Sequence, residues 1–137
     1  MITEELAKLE DARKRQVLQT LSVAYSKALD KQKQEAFSMA ENLIVQGRAD
    51  WAAAVSEGEN NTVNKGKLAS EYLAKSKVME EQMDASFASL AKKMEEQLKA
   101  EGIDPTAIIA EYQVEYETIK QENKKALMEK VMDAVRN

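Results

Sequence analysis

Any chemistry in this 137-residue chain must proceed without histidine and without cysteine, because the sequence contains neither. Their absence removes Ser-His and Cys-His nucleophile pairs, the usual zinc ligand sets and the Glu-x-x-His di-iron motif. Charges, carboxylates, thioethers and one indole remain. Arg13-Lys14-Arg15, with Lys8 nearby, is a basic cluster of the kind that meets phosphates or anionic lipid, set against a net charge of −4 that gives nucleic acid no general attraction. Glu111, Glu115 and Glu122 offer oxygen ligands to a hard cation, but with no glycine-bearing loop they read as a solvated helix face. The expectation is a non-enzymatic chain with no catalytic residue, no cofactor and no metal.

Six residues are the candidates for meeting a partner. Trp51 is the only tryptophan and falls in the least regular segment, where an aromatic serves as a binding anchor or covers the open end of a bundle over Leu43, Ile44 and Val63. Lys65 and Lys67 fall in the first turns of a helix, against the positive end of its dipole. Leu127, Met128 and Met132 belong to doubled apolar positions wider than one stripe, which a monomer leaves partly exposed. Met39, Met79, Met83, Met94, Met128 and Met132 recur at helical spacing, a pattern that fits core packing or an adaptable docking surface.

Helices must position all of these residues. Four glycines and one proline leave few forced stops, while good helix formers dominate. With 44% apolar and 32% charged residues the chain can build a core, yet no apolar run approaches the roughly 20 residues a bilayer requires. The N-terminal Met1-Ile2-Thr3-Glu4-Glu5 lacks the pattern of a signal peptide, and the expected location is the cytoplasm. The best-patterned stretch runs from Thr62 to Gly102. Leu68, Tyr72, Ser76, Met79, Met83, Phe87, Leu90, Met94 and Leu98 repeat over eleven residues, about 3.67 per turn, so their stripe holds to one face of a nearly straight helix.

Upstream, a helix is predicted from Thr3 as N-cap to about 46, with Ile2, Leu6, Leu9, Leu18, Leu21, Tyr25, Leu29, Ala36, Met39 and Leu43 on its stripe, interrupted at Arg13 and Gln32, and Gly47 as its C-cap. A short helix at about 50–57, capped by Asp50, follows. The competing reading runs the first helix through Gly47 to Ser56; the break is preferred because glycine inside a helix costs about 1 kcal/mol relative to alanine. The sharpest local signal is Leu98-x-x-x-Gly102-Ile103-Asp104-Pro105-x-x-Ile108. It combines a Schellman ending at Gly102 with an N-cap at Asp104, proline at the first helical position and a staple between Ile103 and Ile108. A last helix, about 105–135, carries Ile109, Tyr112, Tyr116, Ile119, Asn123, Leu127, Val131 and Val135.

The predicted fold is all-α: an elongated, coiled-coil-like antiparallel three-helix bundle forming a single domain, with the short helix at about 50–57 as an extra element. The tight turn pairs Met83 with Asn123 and Met79 with Leu127 across the last two helices. Folding the first helix back sets Gln32 beside Ser76, Tyr25 beside Met83 and Asn123, and Arg13 opposite Glu95. Such a chain is expected to act through protein-protein contacts with another helical protein or with itself as a dimer, as an adaptor, assembly factor, chaperone-like protein or component of a larger particle. The alternatives are an amphipathic-helix protein for a lipid or hydrophobic surface, and a small-ligand sensor with a cavity among Tyr25, Met83 and Asn123.

Overall fold

The computed structural model describes residues 2–8, 11–56 and 61–136; within helices, the side chains of residues 3, 7, 8, 54–56, 61–65, 131 and 134–136 fall outside the description. The described residues form an all-α helical bundle with no strand. Its elements are α1 (Thr3–Lys8), α2 (Ala12–Ser56), α3 (Asn61–Ala100) and α4 (Thr106–Arg136). None of these helices, as far as described, is long and apolar enough to cross a membrane.

Two helix boundaries differ from expectation. The first helix does not run unbroken from Thr3, because α2 opens with its own cap. The Asp11 carboxylate accepts the Arg13 backbone N–H at 2.9 Å, and the Asp11 carbonyl accepts that of Arg15 at 3.1 Å. Nor does α2 stop at Gly47, so 50–56 is its last stretch and not a separate helix. The glycine serves close approach instead. A Cβ at this position would press into the Tyr72 ring, 2.8 Å from Cδ2, so the missing side chain lets α2 and α3 pack closely. A helix-helix contact thus outweighs the propensity cost that favoured a break.

The turn between α3 and α4 matches its signature bond for bond. Gly102 has φ of +71°, a conformation glycine adopts without strain. The Ile103 N–H donates to the Leu98 carbonyl at 2.9 Å and the Gly102 N–H to that of Lys99 at 3.0 Å, the two bonds of a Schellman ending. Asp104 then accepts the backbone N–H of Thr106 at 3.0 Å and its hydroxyl at 2.8 Å. Ile103, Pro105 and Ile108 are buried.

The chain divides into two compact units. The first comprises Met1–Lys33 and Asp84–Ile119. Its core is Leu18, Tyr25, Leu29, Phe87, Leu90, Met94, Leu98, Ile103, Ile108, Tyr112, Tyr116 and Ile119. Tyr25 and Tyr112 meet edge to face with centroids 6.1 Å apart, and Phe87 stacks on Tyr116 at 4.4 Å. Each phenol is tied off: Tyr25 donates to Gln97 Oε1 at 2.9 Å, Tyr112 to the Ser22 carbonyl at 3.2 Å, and Tyr116 to Asp84.

Facing pairs on α2 and α3 are displaced from the expected ones. Gln32 donates to the Ser86 carbonyl at 3.0 Å and not to Ser76, a slip of ten residues or about 15 Å of helix. Tyr25 meets Gln97 and Tyr112, in place of the Met83 and Asn123 expected beside it. Glu95 bonds Lys99 on its own helix at 2.7 Å, so Arg13 is not its partner. All three corrections have one cause. Because α2 continues to Ser56, the reversal into α3 comes later than a break at Gly47 places it, and facing pairs shift by twice that delay.

The second unit comprises Gln34–Met83 and Lys120–Asn137. Its buried apolar residues are Ala36, Ala40, Leu43, Met79, Met83 and Leu127, with Met39, Ile44 and Tyr72 packed partly buried against the cluster. Here the expected pairing of α3 with α4 holds. Met79 and Leu127 share the cluster, and Asn123 Nδ2 donates to the Met83 sulfur at 3.6 Å.

Candidate functional site

Two concave features lie in the second unit. The smaller, about 50 Å³, surrounds Trp51 and is lined by Leu43, Ile44, Gly47, Leu68 and Tyr72 among others. Trp51 is partly buried and lines this pocket together with Leu43 and Ile44; Val63, its third expected neighbour, has a side chain outside the description. Burial pushes the Tyr72 phenol above its ordinary pKa, and the Arg48 cation works against that rise.

The larger feature is a cleft of about 320 Å³ between α3 and α4. Leu73, Ser76, Lys77, Met79, Glu80 and Met83 line it from α3, and Lys120, Asn123, Lys124, Leu127 and Met128 from α4. The floor is apolar: Met79, Met83 and Leu127 are 7%, 6% and 3% exposed. Leu73 and Met128 stand at the mouth, both exposed. Buried Asn123 sets one amide in this floor, and the single hydrogen bond described for it goes to a thioether, a weak acceptor. Glu80 is the one carboxylate of the lining; Lys120 lies 3.4 Å and Lys124 3.9 Å from its oxygens. Beyond Met128 a shallower groove continues along α4 over Lys125, Met128, Glu129, Met132 and Asp133.

The candidate residues therefore separate. Leu127 is core and presents nothing outward, whereas Met128 and Met132 are 40% and 46% exposed. Lys67 is exposed on α3, and the side chain of Lys65 lies outside those described. The basic cluster belongs to the first unit, where Arg13 and Arg15 are exposed. Lys14 is instead a structural tie, its ammonium donating to the Gly102 carbonyl at 3.1 Å and so closing the α3–α4 turn from α2. Glu111 and Glu115 fall in the first unit and Glu122 in the second. Among the described residues no group of three or more carboxylates is placed to hold a metal ion.

Sequence reasoning overlooked Leu73, Lys77, Glu80, Lys120 and Lys124 as lining residues. The available signal was the four-residue spacing of Lys120 and Lys124, which sets both beside Glu80 once α3 and α4 are aligned at their turn. No family model matches the chain, and neither the curated proteins nor the solved structures offer a match.

Proposed function

We propose that this protein is a non-enzymatic helical bundle of the cytoplasm that works by protein-protein contact through α4 of its second unit, and that a second copy of the chain docks there first. One observation carries the reading. Met128 and Met132, one turn apart on α4, and Leu73 across the cleft from Met128 are all exposed, and the methionines are bordered by charges that complement themselves. If two copies of α4 pair antiparallel about a two-fold axis near Glu129, Lys125 of each copy faces Asp133 of the other, and Met128 and Met132 of both copies pack in the layers to either side of the axis. The thioethers supply adaptable contact and the ion pairs fix direction. Burying these side chains also removes the apolar surface that a lone copy presents to water.

Light scattering across a concentration series tests the reading. The wild-type mass is expected to rise to that of a dimer, and Met132→Glu, at an exposed position, is expected to remain monomeric with unchanged helix content. A strictly monomeric wild-type mass at high concentration would defeat self-docking. Capture of the same set of host proteins by wild type and Met132→Glu would defeat these side chains as the contact surface altogether.

A further inference from the structure

We propose that the cleft between α3 and α4 binds a single-chain amphiphile with a carboxylate head, of the fatty-acid class, held as a monomer. This goes beyond the docking reading and does not depend on it. The volume of about 320 Å³ stands at the low end of the roughly 300–1,000 Å³ typical of small-molecule sites, far less than the space a helix of about 10–12 Å diameter fills over even two turns. From Leu73 to Met83 the α3 wall runs ten residues, about 15 Å, suited to an extended acyl chain of medium length. Met79, Met83 and Leu127 give that chain an apolar, deformable floor.

The polar groups select the head. Three lysines, Lys77, Lys120 and Lys124, line the cleft against the single carboxylate of Glu80. This local cationic excess runs against the net charge of −4 carried by the chain as a whole. Asn123 adds the second element. Its amide has two N–H donors and one oxygen acceptor, while the one bond described for it ends on a thioether sulfur. A carboxylate at this point of the wall accepts a much stronger bond from the amide than sulfur does, with the Lys124 ammonium, 58% exposed, closing over it. A neutral chain gains nothing from the lysines, and a compact hydrophilic anion gains nothing from the floor.

Calorimetric titration of the full chain with decanoate below its micelle threshold, cross-checked by displacement of fluorescent cis-parinarate, tests the proposal. Saturable binding at one site per chain is expected. Lys124→Glu, an exposed change that leaves the fold intact, should weaken decanoate about two- to fivefold and leave decanol unaffected. Ser76→Phe, which fills the cleft from the α3 wall, should weaken both probes by about tenfold with helix content unchanged by circular dichroism. Met132→Glu lies outside the cleft and should still bind decanoate at one saturable site per chain, at least as tightly as wild type because no second copy then covers Leu73 and Met128 at the mouth, so loss of docking and loss of ligand are read separately. Absence of saturable decanoate binding would overturn the proposal. So would Lys124→Glu weakening decanol as much as decanoate, or a response confined to anionic phosphatidylglycerol vesicles, which would indicate a bilayer surface in place of a single acyl chain.

Discussion

Leu18, Leu98 and Tyr112 are among the twelve buried core residues described in the first unit, whereas six are described in the second, of which Ala36 and Ala40 are small and Met79 and Met83 flexible. The difference runs through everything around them. Large side chains in the first unit come with fixed rings and bonded hydroxyls, and the exposed large apolar residues described there are Val23 and Val114. In the second unit small and flexible side chains bring helices close at Gly47 yet leave a cleft between α3 and α4, with Val45, Leu73, Val78, Met128 and Met132 exposed. Among the described residues the second unit thus leaves more large apolar side chains exposed than the first, and binding surface is drawn from what a core does not consume.

The contrast is most directly broken by core substitution. Leu98→Ala, at a fully buried site of the first unit, is expected to cost about 2–5 kcal/mol in urea unfolding. Met83→Ala, the like-for-like truncation in the second unit, should cost less, about 2 kcal/mol, because flexible neighbours along the cleft close over the space. Equal losses would erase the distinction.

Gly47→Ala comes next. Alanine has the better helix propensity, but its Cβ meets the Tyr72 ring, so a net loss of about 1–2 kcal/mol is expected. In a Tyr72→Ala background the same change should be neutral or stabilising, because the obstruction is gone. A stabilising Gly47→Ala in the wild type would mean that the contact does not hold α2 to α3.

Gly102→Ala should cost about 1 kcal/mol, since alanine is strained at φ of +71°. Alkaline titration sharpens the contrast from another side. Burial, with a smaller contribution from Tyr112, pushes the Tyr25 phenol up to about 12. A pKa raised by folding contributes stability that is complete below about 10, the unfolded value, and is lost as pH climbs through about 12. Tyr25→Phe should flatten the stability profile over that window. Tyrosinate absorbance should show this phenol ionising after an unstructured tyrosine.

The smallest effect is expected at the surface. Lys99→Ala removes the 2.7 Å pair with Glu95, a four-residue helix pair whose two side chains are 62% and 47% exposed. A change within about 0.5 kcal/mol that shrinks further in salt is expected, and a larger one would mark the pair as part of the turn beside it.

How far the sequence could be read depended on how local each signal was. The α3–α4 turn spans only Leu98 to Ile108, and every element of it (glycine, aspartate, proline and two isoleucines) acts on its immediate neighbours, so it was fully legible. The α3–α4 pairing followed, because a tight turn fixes register. Gly47 was not legible, since its role depends on Tyr72, a residue remote along the chain; judged alone it is a helix breaker. Once it was misplaced, the α2 register moved with it and carried Gln32, Tyr25 and Arg13 to wrong partners. Asp11 caps α2, a role hidden by reading one unbroken helix from Thr3. The cleft was half legible: Asn123 beside Met83 was visible as a polar group in an apolar layer, but its lysine rim appears only when two helices are aligned.

Met128 and Met132 are the most open thioethers among the described residues, while Met79, Met83 and Met94 are buried. Peroxide reaches the open pair first and turns each into a polar, chiral sulfoxide. Oxidative ageing would therefore write itself onto α4 before any other thioether described, adding oxygen mass to the peptide that contains these two residues while the helical signal stays intact. A preparation that loses association on storage without losing fold would carry that mark.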